Sequence, residues 1–439
     1  MGMSRVGSLL LTLMGGVGVW TTFVLVSPGM GLAPALETPH SGLPPLPEEL
    51  PLEELYAMRD RLQAKLQTPA ARVTMISTGI FSAPTETLEQ LQAVEIRIQI
   101  EEIARSQWQE AINLASEAAE LSQAEVTLNN LEERDRLWRE AIDLLQEISS
   151  QASLHQDVPA KLEEYRTYHR QVAYAYDTAR SDFLEEIAET TGLPSDQVHI
   201  TVCHLEGECR RWNGNIAPAS PASLIKLPVA VALMQKVEEE NIDLDSKVVV
   251  SRGNYTEDAS DIWVGAEYTL RRLMMRMINQ SSNIATNELI DYVGWDYLNQ
   301  VMRDRGFPNT FIGYKLVGER TFPSNAGGTP NRMTTDEMTE MMRQIYRQEL
   351  PGHEVLVDAL VSQYDTVLGY QGLRGTTAIW MGEKTGQNSK ALGTTYAFQI
   401  DQEMYLATIV LDYSANERAL RRCVNDIAKH IMANDGLGS

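Results

Sequence analysis

From about Leu52 to Glu189, apolar residues recur at intervals of three and four among Glu, Gln and Ala, a spacing that predicts long amphipathic helices. One interruption, "RVTMISTGIFSAPTE" (72–86), reads as a loop or short strand. After "GLPSDQ" (192–197) the pattern changes. "VHITVCHLEGECRRWNGN" alternates and turns like a β-hairpin. Helical patterns follow in "LIKLPVAVALMQKVEEEN" and "LRRLMMRMINQSSNIATNELIDYV". The end of the chain reads as three strands, "TTAIWMGEKTG", "GTTYAFQID" and "EMYLATIVLDYS", and a last helix. Strands at both ends of a segment with helices between them predict one antiparallel sheet closed by the segment's termini. The fold class is therefore α+β over 190–439, preceded by an all-α region over 52–189.

The first residues have a different texture. A single early charge at Arg5 precedes an uncharged, mostly apolar run from Val6 to Val26, closed by Pro28. That run is long enough to span a bilayer. Gly31, Ala33 and Ala35 follow, where a signal peptidase could cut. Residues 1–33 are read as a signal peptide or membrane anchor. Either way Arg5 stays inside and the rest is expected to be exported, periplasmic or anchored to the plasma membrane with the folded region outside. Membrane contact follows only if the segment is uncleaved. Residues 34–51, rich in proline, form a stiff linker.

Within the helical region "WQEAINLASEAAEL" from Trp108 is echoed by "WREAIDLLQEISS" from Trp138, thirty residues on. The echo resembles helical-hairpin repeats, though two copies do not define an array. A docking surface for a protein partner is one reading. A helical bundle or spacer with its aromatic residues in the core is the safer one.

Length and charge narrow the function. A chain of 439 residues predicts two folded units, and 43% hydrophobic residues suffice for real cores. The net charge of -23 argues against nucleic acid and anionic lipid as partners. The seven histidines are scattered and no zinc spacing occurs among the three cysteines, so no metal site is expected. Cys203 and Cys209 flank a turn at Glu206-Gly207, and on hairpin arms they could come within disulfide range or remain two thiols. Cys423 reads as a small core residue of the last helix.

The candidate chemistry starts at "PASLIKLPV" (221–229). Ser223 and Lys226 share one face of a helix start. A serine hydroxyl needs a base to become a nucleophile, and a lysine in an apolar setting can be that base. Downstream lie Ser281-Ser282-Asn283 and Lys384-Thr385-Gly386, about 55 and 100 residues apart in sequence from the preceding motif. This ordered set, Ser-x-x-Lys, Ser-x-Asn and Lys-Thr-Gly, resembles the signature of penicillin-recognising serine enzymes, with spacings similar to the class A β-lactamase branch.

The resemblance covers roughly 190–439 and implies a β-lactamase/transpeptidase-like domain without metal or cofactor. It implies that Ser223 is acylated, that Lys226 is its general base, and that Ser281 passes a proton to the departing nitrogen. Asn283 would hold a substrate amide carbonyl, and Lys384 and Thr385 the substrate carboxylate. Gly386 would let the strand backbone approach the ligand. The oxyanion hole would be the backbone N–H groups of Ser223 and Gln387. The implied ligands are β-lactams or the stem peptide of peptidoglycan.

Two departures stand out. Ser282 replaces the usual aspartate. The deacylating glutamate, expected in the loop before a Thr-Pro that opens a helix, is missing. Counting back from Thr329-Pro330 lands at "FIGYKL" (311–316), which has no carboxylate. Glu319 is the only acid in the loop, displaced and beside Arg320. The expectation is an enzyme closer to D,D-peptidases, with slow deacylation. The alternatives are a true class A β-lactamase using Glu319 or another base, and a non-catalytic helical interaction protein with a degenerate hydrolase fold. A chain starting near Gly192 carries all three motifs and is expected to fold and acylate.

Overall fold

The computed structural model describes residues 50–68, 83–318 and 320–438. The apolar run Val6–Val26, nearly all of the Pro-rich linker, most of 72–86 and Glu319 lie outside the described residues. Among the described residues no helix is long and apolar enough to cross a membrane. The chain divides into two compact units, Met1–Gln99 and Ile100–Ser439, rather than at the expected boundary near 190.

In the first unit, α1 (Leu52–Gln67) buries Leu52, Leu55 and Leu62. They pack with Leu91, Val94 and Ile98 of α2 (Ala83–Leu121), spaced by three and four as an apolar stripe requires. The second unit begins within α2 and continues with α3 (Leu128–Gln146), α4 (Val158–Ala179) and α5 (Asp182–Glu189). The sequence echo is an echo of packing. Ala111 and Ala115 of the first copy and Ala141 and Leu145 of the second are all buried in one helical core. Trp138 is buried there too, edge-on to Tyr165 and stacked on Tyr168. Trp138 and Tyr165 thus serve the core of this region, while Tyr168 stays exposed at its edge.

The sheet has the order β2-β1-β7-β6-β5, antiparallel throughout. Its strands are β1 (Val198–His204), β2 (Cys209–Trp212), β5 (Ile379–Gln387), β6 (Ala391–Ile400) and β7 (Glu403–Asp412). A separate two-stranded ribbon joins β3 (Lys247–Val249) and β4 (Glu267–Thr269). As predicted, the segment's ends meet in the sheet, with β1 beside β7.

Alternation sorts the faces. Val198, Ile200 and Val202 point to a core shared with α5 and the last helix, α12 (Glu417–Asn434). On the other face lie α6 (Lys226–Glu239), α7 (Leu270–Asn279), α8 (Asn283–Val293), α9 (Trp295–Asp304), α10 (Thr335–Tyr346) and α11 (His353–Val361). Cys203 and Cys209 oppose each other on β1 and β2 and are disulfide-bonded.

Two features correct the sequence reading. First, α5 is part of the sheet domain. Leu184, Ile187 and Ala188 are buried with Leu420, Val424 and Ile427 of α12. Second, α4 and the turn between it and α5 close the sheet's β2 edge with side chains. Asp177 accepts from the Cys209 N–H at 3.0 Å, and Ser181 Oγ from the Arg211 N–H at 2.8 Å. These bonds use backbone donors that an open edge would leave to another strand. A domain starting at 190 would therefore lack part of its own core and its edge cover.

Candidate active site

Ser223 sits in a single 3-10 turn, Ala222–Ile225, that runs into α6. Pro228 is tolerated because it falls in the first turn of α6, where a missing N–H costs nothing. Residues 226–234 of this helix are all buried, so it crosses the core between the sheet and the other helices. Lys226 is carried into that interior and is fully buried.

Four oxygen atoms surround Lys226 Nζ. They are Ser223 Oγ at 3.0 Å, the Ser281 carbonyl at 2.5 Å, Ser281 Oγ at 2.9 Å and Asn283 Oδ1 at 2.7 Å. Burial and the neighbouring Lys384 charge push its pKa well below the usual lysine value, against a smaller opposing pull from Asp258. A neutral amine has two donors and one lone pair. The carbonyl of Ser281 and Oδ1 of Asn283 can only accept. With both donors spent on them, the lone pair is left for the proton of a serine hydroxyl. Burial thus creates the base, and the two obligate acceptors aim its lone pair.

Ser281 occupies the turn between α7 and α8 with φ of 57°, a left-handed conformation costing a non-glycine residue about 1–2 kcal/mol. That turn brings Ser281 Oγ between the two amines, 2.9 Å from Lys226 and 3.2 Å from Lys384. Asn283 Oδ1 is taken by Lys226, so its amide N–H groups are what it can offer a ligand.

The substitution at Ser282 is compensated from elsewhere. Ser282 is buried, caps α8 by accepting from Ala285 N, and donates to Asp258 Oδ2 at 2.5 Å. Asp258 also accepts from Ile284 N at 2.9 Å. A carboxylate therefore does sit at this helix start, supplied by a loop 24 residues earlier. No motif in "NYTEDASDIW" marks it.

Lys384 is also fully buried, on β5. Burial lowers its pKa to about 8, against the pull of Asp365 and Glu383. Its neighbour Glu383 is buried, raised to about 7, and accepts from the Gly369 N–H at 2.7 Å. Gly386 has a steric reason. A Cβ there would lie 2.9 Å from Ser223 N and 3.0 Å from Leu224 N. Only glycine lets β5 lie against the Ser223 turn, and the next residue, Gln387, is the expected second oxyanion donor. Gly386→Ala is expected to slow acylation of Ser223 by about ten- to a hundredfold, because both misplaced neighbours are backbone. The check is a labelling time course with a fluorescent penicillin. A rate within twofold of native would show that the approach is unimportant.

The loop before α10 differs from expectation. Thr329-Pro330 does not open a helix. α10 starts at Thr335, with Thr334 as its cap accepting from Glu337 N. Thr334 rather than Thr329 supplies the hydroxyl that ends the loop. The loop is fixed to the domain by side chains. Asn331 Oδ1 accepts from Gly313 N and Tyr314 N. Lys315, buried, donates to Asn254 Oδ1 and the Asp291 carboxylate. Asn287 of α8 exchanges two 2.8 Å bonds with the backbone of Leu316. Where the loop meets the helix that carries Asn283, it thus presents a leucine packed on the core. Glu319, three residues further, is outside the described residues.

A buried lysine base, an adjacent serine and a second serine between two amines, on an antiparallel sheet flanked by helices, define a serine hydrolase. The sequence profile of the β-lactamase enzyme family matches residues 185–434, and the chain belongs to that family. A β-lactamase of Bacteroides uniformis is 27% identical over 208 residues, 44% of this chain and 68% of that protein. A class A β-lactamase structure from Bacteroides cellulosilyticus covers 58% of this chain and 99% of its own, at 18% identity and a TM-score of 0.50. The structure of PBP-A covers 56% of this chain and 96% of its own, at 22% identity and a TM-score of 0.49.

Proposed function

We propose that this exported enzyme forms an acyl-enzyme on Ser223 with β-lactams and with D-Ala-D-Ala-like stem peptides, and that it releases β-lactams slowly. The observation that carries the reading is the sharing of Lys226 Nζ by Ser223 Oγ and Ser281 Oγ, both within 3.0 Å. Ser223 Oγ attacks the carbonyl carbon and its proton passes to Lys226. The backbone N–H groups of Ser223 and Gln387 take the oxyanion. As the C–N bond breaks, Ser281 gives its proton to the departing nitrogen and is reprotonated from Lys226. Hydrolysis then needs a water and a base, and the leucine held by Asn287 supplies no base at that point of the loop.

Two further proposals follow from the chain as a whole. The acidic chain after Arg5 lies outside the plasma membrane, periplasmic or anchored. Peptidoglycan is then within reach of the site. The test of acylation is labelling with a fluorescent penicillin. Native protein is expected to carry the label through denaturing electrophoresis, and Ser223→Ala to carry none while keeping its melting temperature within a few degrees. Retained label in the variant would assign the nucleophile elsewhere.

A further inference from the structure

The helices of the second unit hold a groove of about 470 Å³ whose lining includes none of the catalytic residues. α2 lines it from Ile112 to Ser122 and α4 from Lys161 to Val172, while α3 contributes Arg134 and Trp138. Each of the two longer stretches runs about 15 Å along its helix, the span of about five residues of extended chain. The α2 side is made of small residues, Ala115, Ala118 and Ala119 among them, which leaves room for a ligand. The α4 side is aromatic. Tyr165 is buried edge-on to Trp138, and Tyr168 stacks on Trp138 yet remains half exposed. Aromatic surface is thus presented within the groove as well as folded into the core.

The charges of the groove do not cancel. Lys161 and Glu164 pair with each other at 2.7 Å, and Lys161 Nζ stands over the Tyr165 ring. Arg134 is left over. Among the described residues it forms no hydrogen bond or ion pair, and its Nε is buried without an acceptor. Its sequence neighbours are already taken. Glu133 pairs with Arg136, and Asp135 with Arg139 and His169. A guanidinium shielded at Nε and lacking an acceptor carries a desolvation cost that a bound carboxylate would offset. Such a cation is out of character in a chain with a net charge of -23.

We propose that this groove binds an extended segment of a partner protein, about five residues long, in which one aspartate or glutamate pairs with Arg134 while apolar residues lie against Tyr168 and the alanines of α2. The guanidinium fork takes a carboxylate through two parallel N–H donors. An aromatic-lined groove suits extended apolar or proline-containing chain. The acidic surface of the rest of the molecule repels a run of acids, so the segment carries a single carboxylate among apolar residues.

The test screens the full chain against a positional-scanning library of immobilised hexapeptides. Native protein is expected to select aspartate or glutamate at one position with apolar residues or proline beside it. The strongest binder is then labelled and titrated in solution, as selected and with its acid replaced by the amide. Fluorescence anisotropy is expected to show the acid form binding at least about tenfold more tightly. Arg134→Gln should bring the two forms within about twofold of each other. Tyr168→Ala should weaken both by about fivefold or more and keep the preference. Arg136→Gln removes a charge on the same helix that Glu133 and Glu140 already occupy, and should leave the preference as it is. Circular dichroism melts should place all three variants within a few degrees of the native protein. A library without selection for an acid overturns the inference. So does a preference that survives Arg134→Gln, one lost equally in Arg136→Gln, or an affinity untouched by Tyr168→Ala.

Discussion

Lys226→Met is expected to slow acylation of Ser223 by about a hundred- to ten-thousandfold, the usual worth of general-base assistance, while the protein stays folded. The size follows from the isolation of the site. Nζ lies 3.0 Å from Ser223 Oγ, and Lys384, the second amine at the site, bonds Ser281 Oγ instead. Methionine is one atom shorter than lysine and bears no charge, so its burial carries none of the desolvation that lowers the lysine pKa. Against this, the Ser281 carbonyl and Asn283 Oδ1 lose a donor, at about 1–3 kcal/mol each where water cannot replace it. The two effects oppose, and the melting temperature should move little beside the loss of rate. Native acylation should also decline as pH falls. Protonation of Lys226 removes the lone pair, and its pKa below the ordinary lysine value places that loss at a lower pH than free lysine would. Rates of adduct formation across pH, for native protein and variant, make the check. A variant within tenfold of native would remove Lys226 from the role of base.

The second large effect is on folding. A chain starting at Gly192 keeps every motif yet is expected not to fold cooperatively. It lacks Leu184, which is fully buried against α12, along with Ile187 and Ala188. Loss of a buried leucine side chain alone costs about 2–5 kcal/mol, and whole domains are stable by only about 5–15 kcal/mol. The same cut removes Asp177 and Ser181, which occupy the N–H groups of Cys209 and Arg211 on the β2 edge. The exposed edge invites aggregation as well as unfolding. A chain starting at Ile100, the beginning of the compact unit, is expected to melt in one transition near that of the native protein. Circular dichroism melts of both chains decide it. A cooperative transition in the shorter chain at the native temperature would show that α4 and α5 are dispensable.

These two cases also mark how far the sequence is legible. Ser223 and Lys226 could be read because their contact is local, three residues apart on one helix start. Ser281 and Lys384 could be read because short flanking motifs identify them, although they meet across 103 residues. The closing strands could be read from period-two patterning, and they pair as expected. What escaped depends on single long-range contacts without a motif. Asp258 reaches Ser282 across 24 residues, and Asp365 reaches Thr385 across 20. Either acid looks like ordinary surface charge in the chain. The placement of α5 escaped because its pattern continues that of the helices before it. Only the apolar face of α12, beyond the sheet, reveals which core it joins. The helix start after the loop was misplaced because Thr329-Pro330 imitates a helix entry that Thr334 in fact provides.

The central claim is a Ser223 acyl-enzyme whose release is slow because the loop at Leu316 brings no base to the acyl carbonyl. Its most direct test is the lifetime of the penicilloyl adduct on the full chain, followed by intact mass after a stoichiometric pulse of benzylpenicillin, with Glu319→Gln beside the native protein. The account predicts one adduct per chain, release far slower than formation, and a lifetime unchanged within about twofold in Glu319→Gln, since assistance by a general base is worth at least about a hundredfold. Rapid turnover in the native protein that collapses in Glu319→Gln would contradict it and make this enzyme a working β-lactamase.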